Sequence, residues 1–205
     1  MGRIIRWTVV GLVVAALAAG AGLWLRPRAA PGRLAGATVA GSLAVGGPFT
    51  LTDDTGHAVT QASWPGRWLL VYFGYTFCPD VCPTELQTIA NALDALGPLA
   101  DRVQPLFITI DPGRDTPAHM AEYVKMFSPR LIGLTGTAQQ IAAVAHAYRV
   151  YYAKVTPKDS TTDLMNHSSF IYLMAPDGKL STLFDPGTKA QDIAKAMRAH
   201  LSAAS

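Results

Sequence analysis

The sequence predicts an α/β fold, a three-layer sandwich with a mixed sheet, preceded by a single transmembrane helix. Two continuous apolar runs, residues 68–73 and 103–110, have the pattern of strands covered on both faces, and helical patterns follow each of them. Near the C-terminus the pattern changes to a β-hairpin and a closing helix. Alternating strands and helices favour parallel pairing, whereas a hairpin adds antiparallel strands, so we expect the sheet to be mixed.

The elements are expected to follow one another in a single domain. Residues 49–59 predict an N-terminal β-hairpin, because they alternate loosely around the turn sequence Asp53-Asp54-Thr55-Gly56. Residues 84–96 carry apolar side chains at helical spacing, and Gly97-Pro98 ends that helix. The later expected elements are a helix at 117–127, a strand at 131–134, a helix at 137–148, a strand at 150–155, a polar loop at 156–166, hairpin strands at 169–174 and 180–184, and a helix at 188–201.

An uncharged apolar run, residues 7–25, precedes this domain. At ~1.5 Å per residue, a helix of this length nearly matches a ~30 Å hydrocarbon core. The run is longer than the ~7–15-residue apolar core of a cleaved signal peptide. A retained anchor is therefore favoured over a cleaved signal or a buried core helix. The predicted organisation is a membrane anchor at 1–28, a tether at 29–47 and a globular domain at 48–205, with the globular domain exported.

The charge distribution gives no support to nucleic-acid binding. The chain has a net charge of +3, but five of its 17 basic residues precede Leu34, whereas all 14 acidic residues follow it. The globular part is therefore slightly acidic, without the basic excess that nucleic-acid binding requires.

The only two cysteines, Cys78 and Cys82, lie between an expected strand and an expected helix. On a helix, residues four apart share a face with Cβ atoms ~5–6 Å apart, so both sulfurs can reach one metal ion. A modest distortion at the helix start brings them to the ~3.5–4.5 Å that a disulfide needs. A helix N-terminus also favours thiolate over thiol. The spacing thus permits a redox couple or a soft-metal site, and it also permits a structural disulfide, although a bond across so short a loop stabilises little.

A metal site at these cysteines needs a further ligand. Two thiolates are too few for a closed zinc site, whereas two thiolates and one imidazole suit Cu(I). Among the five histidines, His57, His119, His146 and His200 are expected on the surface or in packing roles. His167 is a candidate ligand because it lies where a polar loop meets a strand, but its position alone does not decide the matter.

Charged residues elsewhere leave further alternatives. Arg114 and Arg149 could supply the electropositive surroundings that a peroxidase thiolate needs, although the sequence does not place them near the cysteines. Asp80, Asp111 and Asp115 are expected in turns and helix caps, since carboxylates are poor ligands for Cu(I).

Several motifs resemble the Sco/SenC family. They are the segment Gly74-Tyr75-Thr76-Phe77-Cys78-Pro79-Asp80-Val81-Cys82-Pro83, the segment Ile110-Asp111-Pro112-Gly113-Arg114-Asp115-Thr116-Pro117, and the shorter sequences Phe127-Ser128-Pro129, Gly133-Leu134-Thr135-Gly136 and His167-Ser168. The resemblance extends from about Phe49 to the end of the chain. Two positions depart from the family pattern: Phe77 stands where many relatives have a histidine, and Asn166 where an aspartate is common.

The resemblance implies a thioredoxin-like fold in a single-pass protein of a bacterial inner membrane, with its domain in the periplasm. It implies copper bound by Cys78, Cys82 and His167, and a metallochaperone role in assembling the dinuclear copper centre of cytochrome c oxidase, whose copper-accepting subunit would be the partner. The alternative is thiol–disulfide exchange, in which Cys78 and Cys82 are the catalytic pair that reduces acceptor cysteines. Peroxidase activity is a third and less favoured hypothesis.

Overall fold

A seven-stranded mixed sheet forms the centre of the computed structural model, which describes residues 44–156, 158 and 162–203. The strands are β1 (Thr50–Asp53), β2 (Ala58–Thr60), β3 (Trp68–Gly74), β4 (Val103–Thr109), β5 (Ile132–Thr135), β6 (Tyr152–Val155), β7 (Leu164–His167), β8 (Ile171–Met174) and β9 (Leu180–Phe184). The helices are α1 (Val81–Leu96), α2 (Pro117–Lys125), α3 (Ala138–Ala147) and α4 (Ala190–Ala203), with 3-10 turns at Gln61–Ser63 and Gly97–Arg102.

The strand order in the sheet is β2-β1-β5-β4-β3-β8-β9. The pairs β3–β4 and β4–β5 are parallel, whereas β1–β2, β1–β5, β3–β8 and β8–β9 are antiparallel. Strands β6 and β7 form a separate antiparallel ribbon. The predicted mixed sheet, N-terminal hairpin and terminal hairpin are therefore confirmed.

The two innermost strands explain why their sequences are continuously apolar. Every residue of β3 and of β4 is buried. A strand covered on both faces has no solvent side on which polar residues would alternate. Helix α4 packs against α1, and α2 packs against β5, which gives the sheet its apolar cover.

Threonine side chains cap the start of two helices. Thr116 accepts a hydrogen bond from the His119 backbone N–H, and Pro117 follows at the first helical position. Thr137 and Gln140 form a reciprocal capping box at the start of α3. Helix α1 begins at Val81, three residues earlier than predicted, because Pro83 is tolerated within a first turn whose N–H groups lack helical partners.

The expected polar loop at 156–166 is partly wrong. Its end is strand β7, which pairs with β6 so that Tyr152 lies opposite His167. The strand is short and only partly buried, so its sequence lacks the alternation that marks a half-buried strand. His167 is therefore held by strand pairing and not by a loop end.

The predicted membrane span at 7–25 lies outside the described residues. Within the part of the chain that the structure describes, no helix combines the length and apolar character needed to cross a membrane. At the end of the predicted tether, Gly46 donates a backbone hydrogen bond to the Ala147 carbonyl, 3.0 Å away.

Candidate metal and dithiol site

Three elements bring Cys78, Cys82 and His167 together. Cys78 lies in the loop that follows β3, Cys82 lies in the first turn of α1, and His167 ends β7. Their candidate ligand atoms, two sulfurs and one imidazole nitrogen, all lie within 4.8 Å of one another. Across the described ranges, this is the one group of three or more His, Cys, Asp or Glu side chains close enough to share a metal ion.

A hydrogen bond at Nδ1 sets the direction of the imidazole. The Cys82 sulfur lies 3.4 Å from His167 Nε2, and His167 Nδ1 lies 3.0 Å from the Ser168 carbonyl oxygen. Because a carbonyl only accepts, Nδ1 carries the hydrogen in the neutral ring and Nε2 presents its lone pair to the sulfurs. Asn166 is exposed on β7, and the Ser168 carbonyl is the acceptor that orients this ring.

The two cysteines are free thiols of different exposure. Cys82 is fully buried, whereas Cys78 is partly exposed. Gly74 makes room for the buried sulfur, since a Cβ at this position would lie 2.8 Å from Cys82 Sγ. The Cys82 backbone N–H points to Cys78 Sγ at 3.5 Å. The sulfur of Cys78 is thus the accessible one.

The pair shares one proton. A hydrogen bond from the Cys82 thiol lowers the pKa of Cys78 to about 4, and burial opposes this shift. The same hydrogen bond, followed by burial, raises the pKa of Cys82. The arrangement therefore has a thiolate at Cys78 and a thiol at Cys82 near neutral pH.

Two tyrosines that the sequence did not mark as site residues pack against the imidazole. The ring centroids of Tyr72 and Tyr75 lie 6.3 and 6.1 Å from that of His167, each in an edge-on arrangement. Both tyrosines are almost completely buried, and the Tyr75 hydroxyl accepts a hydrogen bond from the Met165 backbone N–H at 3.2 Å. Tyrosine in an otherwise apolar strand run is a signal that could have found Tyr72, because a buried hydroxyl needs a polar neighbour, whereas Tyr75 follows the strand and gives no such signal.

Asp115 was expected in a turn or a helix cap. Its backbone N–H does close the turn from Asp111, at 3.0 Å from that carbonyl oxygen, but the N-cap of α2 is Thr116, and the Asp115 side chain supports the cysteine loop. It is fully buried, and its carboxylate accepts hydrogen bonds from the Thr76 and Thr109 hydroxyls, both at 2.5 Å. The Thr76 backbone N–H donates to the same carboxylate at 3.1 Å. Since Thr109 ends β4 and Thr76 follows β3, the interaction joins the cysteine loop to the end of the neighbouring strand.

The other charged candidates lie in different surroundings. Arg114 pairs with Asp111 and contacts the cysteine loop, whereas Arg149 is exposed after α3 with a positive φ of 58°. Asp80 stands at the N-cap of α1 without a side-chain capping hydrogen bond. His57 bonds to Thr55, and His200 contacts Ser181, Thr182 and Trp68, so these histidines have structural partners away from the cysteines.

The donor set fits a soft, low-coordinate metal ion. Ligands at about 2.0–2.3 Å from one ion stand about 3.4–4.6 Å apart, depending on the angle between them. The three donor atoms are already within 4.8 Å of one another, so small side-chain shifts suffice. Two sulfurs and one nitrogen, with no carboxylate among them, favour Cu(I) over Mg²⁺, Ca²⁺ or Mn²⁺.

The mixed sheet, the dithiol at the start of the helix after a central strand, and the facing imidazole define a thioredoxin-like domain with a dithiol–histidine centre. The chain matches the SCO1/SenC family over residues 37–202, and it therefore belongs to that family.

The relatives support both the fold and the family. The chain is 46% identical over 203 residues to the mitochondrial SCO2 homolog of Bos taurus, covering 97% of this chain and 76% of the relative. It is 45% identical over 161 residues to the human mitochondrial SCO1 homolog, covering 77% of this chain and 53% of the relative. The solved structure of Bradyrhizobium japonicum ScoI with copper bound is 46% identical, with a TM-score of 0.69 over 76% of this chain and 99% of that one.

The expected location, a bacterial inner membrane with the domain in the periplasm, is contradicted by these curated relatives, which are mitochondrial proteins. The physical reason for the error is that an apolar run flanked by arginines indicates only that the segment is able to cross a bilayer. It carries no information on which organism or organelle that bilayer belongs to.

Proposed function

We propose that this protein is a copper chaperone that binds copper through Cys78, Cys82 and His167 and helps to assemble the dinuclear copper centre of cytochrome c oxidase. The convergence of two sulfurs and one imidazole nitrogen within 4.8 Å carries the proposal. Family membership and a copper-bound relative support it. We further propose that the copper-binding domain spans residues 48–205, after an anchor at 1–28 and a tether at 29–47.

The difference in exposure suggests an order of transfer. A cysteine of the copper-accepting subunit reaches the metal first on the side of Cys78, which is partly exposed. Cys82 is buried against Gly74 and is the last ligand to leave. Stepwise exchange of this kind keeps the ion coordinated by sulfur throughout, because each incoming thiolate replaces one outgoing ligand.

A copper titration tests the ligand set. The reduced protein, handled without oxygen, is expected to bind one Cu(I) per chain in competition with a chromogenic chelator. Cys78→Ser, Cys82→Ser and His167→Ala should each weaken binding by at least tenfold, whereas His146→Ala, a histidine on the exposed surface of α3, should match the parent. Unchanged affinity in His167→Ala would refute the assignment of that ligand.

The lowered pKa of Cys78 favours a second candidate function, thiol–disulfide exchange. The Cys78 thiolate attacks one sulfur of an acceptor disulfide, and the other acceptor sulfur leaves as a thiolate. Cys82 then loses its proton and attacks Cys78, which breaks the mixed disulfide and releases the second acceptor thiol. The acceptor gains two electrons, and the pair Cys78–Cys82 is oxidised to a disulfide.

His167→Ala separates the two functions, because exchange needs only the cysteines. Reduction of an acceptor-peptide disulfide should survive in that variant and disappear in Cys78→Ser. If His167→Ala lost both disulfide reduction and copper binding, an independent reductase role would be excluded. Peroxide consumption by the reduced, metal-free protein tests the third reading, a peroxidase.

A further inference from the structure

The β6–β7 ribbon, which carries His167, is not hydrogen-bonded to the main sheet. At its base, Ser168 N donates to the Tyr151 carbonyl at 2.9 Å, and Tyr151 N donates to Ser168 Oγ at 3.1 Å. Both bonds join the residue before β6 to the residue after β7, so they lie within the ribbon. They do not determine how the ribbon sits against the cysteine loop, so its placement depends on contacts with the rest of the domain.

One such contact is the hydrogen bond between Met165 N and the Tyr75 hydroxyl. Another comes from Arg114, whose Nη1 donates to the Asp163 carbonyl oxygen at 3.0 Å, and Tyr152 and Met165 also pack against the core. Asp163 directly precedes β7, and its carboxylate pairs with Lys154 Nζ at 3.1 Å and accepts from the Thr156 hydroxyl at 2.6 Å. Arg114 therefore reaches the end of the ribbon farther from His167.

The same guanidinium also contacts the cysteine loop. Its Cζ lies 4.9 Å from the ring centroid of Phe77 and 5.8 Å from that of Tyr75. Its Nε pairs with the carboxylate of Asp111, in its own loop. Phe77 is 52% exposed and immediately precedes Cys78, so the stacking covers part of a ring that would otherwise be open to solvent. Arg114 thus links three segments around the site: the cysteine loop, the loop after β4 and the ribbon.

We propose that Arg114 is a positioning residue that latches the β6–β7 ribbon onto the cysteine loop and so keeps His167 within reach of Cys78 and Cys82. The planar guanidinium is suited to this role because it can stack on an aromatic face while its edges donate hydrogen bonds in different directions. A lysine has one ammonium group and cannot keep all of these contacts. The consequence for copper rests on the proposed function, whereas the consequence for the ribbon does not.

Amide hydrogen exchange of the reduced, metal-free protein tests the latch directly. In Arg114→Ala we expect amides of β6 and β7 to exchange at least tenfold faster, because the ribbon opens more often. Arg114→Lys should give a smaller acceleration. The matched control is Arg130→Ala, which removes another partly exposed arginine, paired with Asp101 at 2.6 Å and not in contact with the ribbon. If the amides of β6 and β7 exchanged at the same rate in Arg114→Ala as in the parent, the proposal would be overturned. This outcome does not depend on whether the protein binds copper.

A double-mutant cycle tests whether the latch acts through the imidazole. Arg114→Ala should weaken Cu(I) binding about tenfold in the parent, yet cause no further loss in a His167→Ala background. Equal losses in both backgrounds would overturn the positioning role, because they would mean that Arg114 acts on the thiols or on general stability. If Arg114→Ala fails to fold, Arg114→Lys takes its place in both experiments with a smaller expected effect. Ribbon exchange unchanged from the parent, or equal losses of copper affinity in both backgrounds, would again overturn the proposal. If neither the parent nor any variant bound copper, the proposed function would be contradicted. Amide hydrogen exchange would then still test whether Arg114 holds the ribbon on the cysteine loop.

Discussion

Cys78 and Cys82 differ in chemistry although only three residues separate them. The buried thiol of Cys82 donates to Cys78, which lowers the pKa of the more exposed sulfur. The position of Cys82 in turn depends on Gly74, whose missing side chain leaves space for the sulfur. The properties of the dithiol therefore follow from two local features, a hydrogen bond and a close approach to β3.

The pH dependence of Cys78 alkylation is a first prediction. Because the thiolate is the nucleophile and the pKa of Cys78 is about 4, its reaction with iodoacetamide should stay nearly constant from pH 8 to about 6 and fall as the pH drops through about 4. Cys82→Ala removes the hydrogen-bond donor, so the midpoint should move up toward the ordinary value of 9.0. Mass spectrometry of quenched samples measures both profiles. A parent midpoint near the ordinary value would contradict the shared proton.

Gly74→Ala is expected to disturb the site and the core together. Its new Cβ would lie 2.8 Å from Cys82 Sγ and 2.9 Å from the Phe107 ring. Overpacking of this kind costs about 1–3 kcal/mol of unfolding free energy. Urea denaturation measures that cost, and the chelator competition should show weaker copper binding. Gly113→Ala is the matched control, since a Cβ there meets no atom within 4 Å. Equal behaviour of the two variants would show that the sulfur does not depend on Gly74.

At the scale of the elements, Glu85 connects α1 to the turn before α4. Its side chain is buried, and Oε1 accepts a hydrogen bond from the Gly187 backbone N–H at 2.7 Å. Its Oε2 is buried and has no hydrogen-bond partner among the residues that the structure describes. Burial raises the pKa of Glu85 above its ordinary 4.5. This carboxyl group therefore supports the packing of the helices best in its protonated form.

The sign of the pKa shift gives a prediction for Glu85→Gln. The folded protein holds this proton more tightly than the unfolded chain, so the favourable contribution is complete below pH 4.5 and is lost as the pH rises through the higher folded pKa. A glutamine oxygen still accepts from Gly187 and does not titrate. Urea unfolding should therefore show the variant gaining stability relative to the parent between pH 4 and pH 7. Gln87→Ala, on the exposed side of the same helix, should leave the pH profile unchanged.

At the scale of the whole molecule, a bound ion would connect three parts of the chain that the fold brings together. Cys82 and His167 are 85 residues apart in sequence, and they belong to α1 and to the separate ribbon. A ligand that binds only the folded state stabilises it by mass action. The copper site would thus cross-link the ribbon to the body of the domain.

Copper is accordingly expected to raise the unfolding free energy of the reduced protein. At a free Cu(I) concentration of 100 times Kd, the gain should approach about 2.7 kcal/mol, less any contribution from thiols that bind copper in the unfolded chain. Anaerobic denaturation with and without buffered Cu(I) measures the difference. Cys82→Ser should show little or no gain. A gain in that variant equal to that of the parent would place the stabilising ion elsewhere.

Much of the fold could be predicted because its signals are local. The continuous apolar runs of β3 and β4, the capping residues Thr116 and Thr137, and the turn at Asp53 each act within a few residues. Strand β7 escaped prediction because it is short, partly buried and stabilised by its partner β6. The contacts of Arg114, Asp115 and Glu85 were not predicted for a related reason, since their partners Asp163, Thr76 and Gly187 lie far away in the sequence.

The sequence by itself determined the class of fold, the dithiol spacing and, through its family motifs, the choice of His167 as the third candidate ligand. These depend on side-chain periodicity, turn chemistry and residue identity, which are visible along the chain. Only the tertiary structure decided that the imidazole faces the sulfurs through Nε2, that Cys82 is buried while Cys78 is accessible, and that Arg114 joins the ribbon to the cysteine loop. Those properties arise from contacts between distant segments, and only the packed fold brings these segments together.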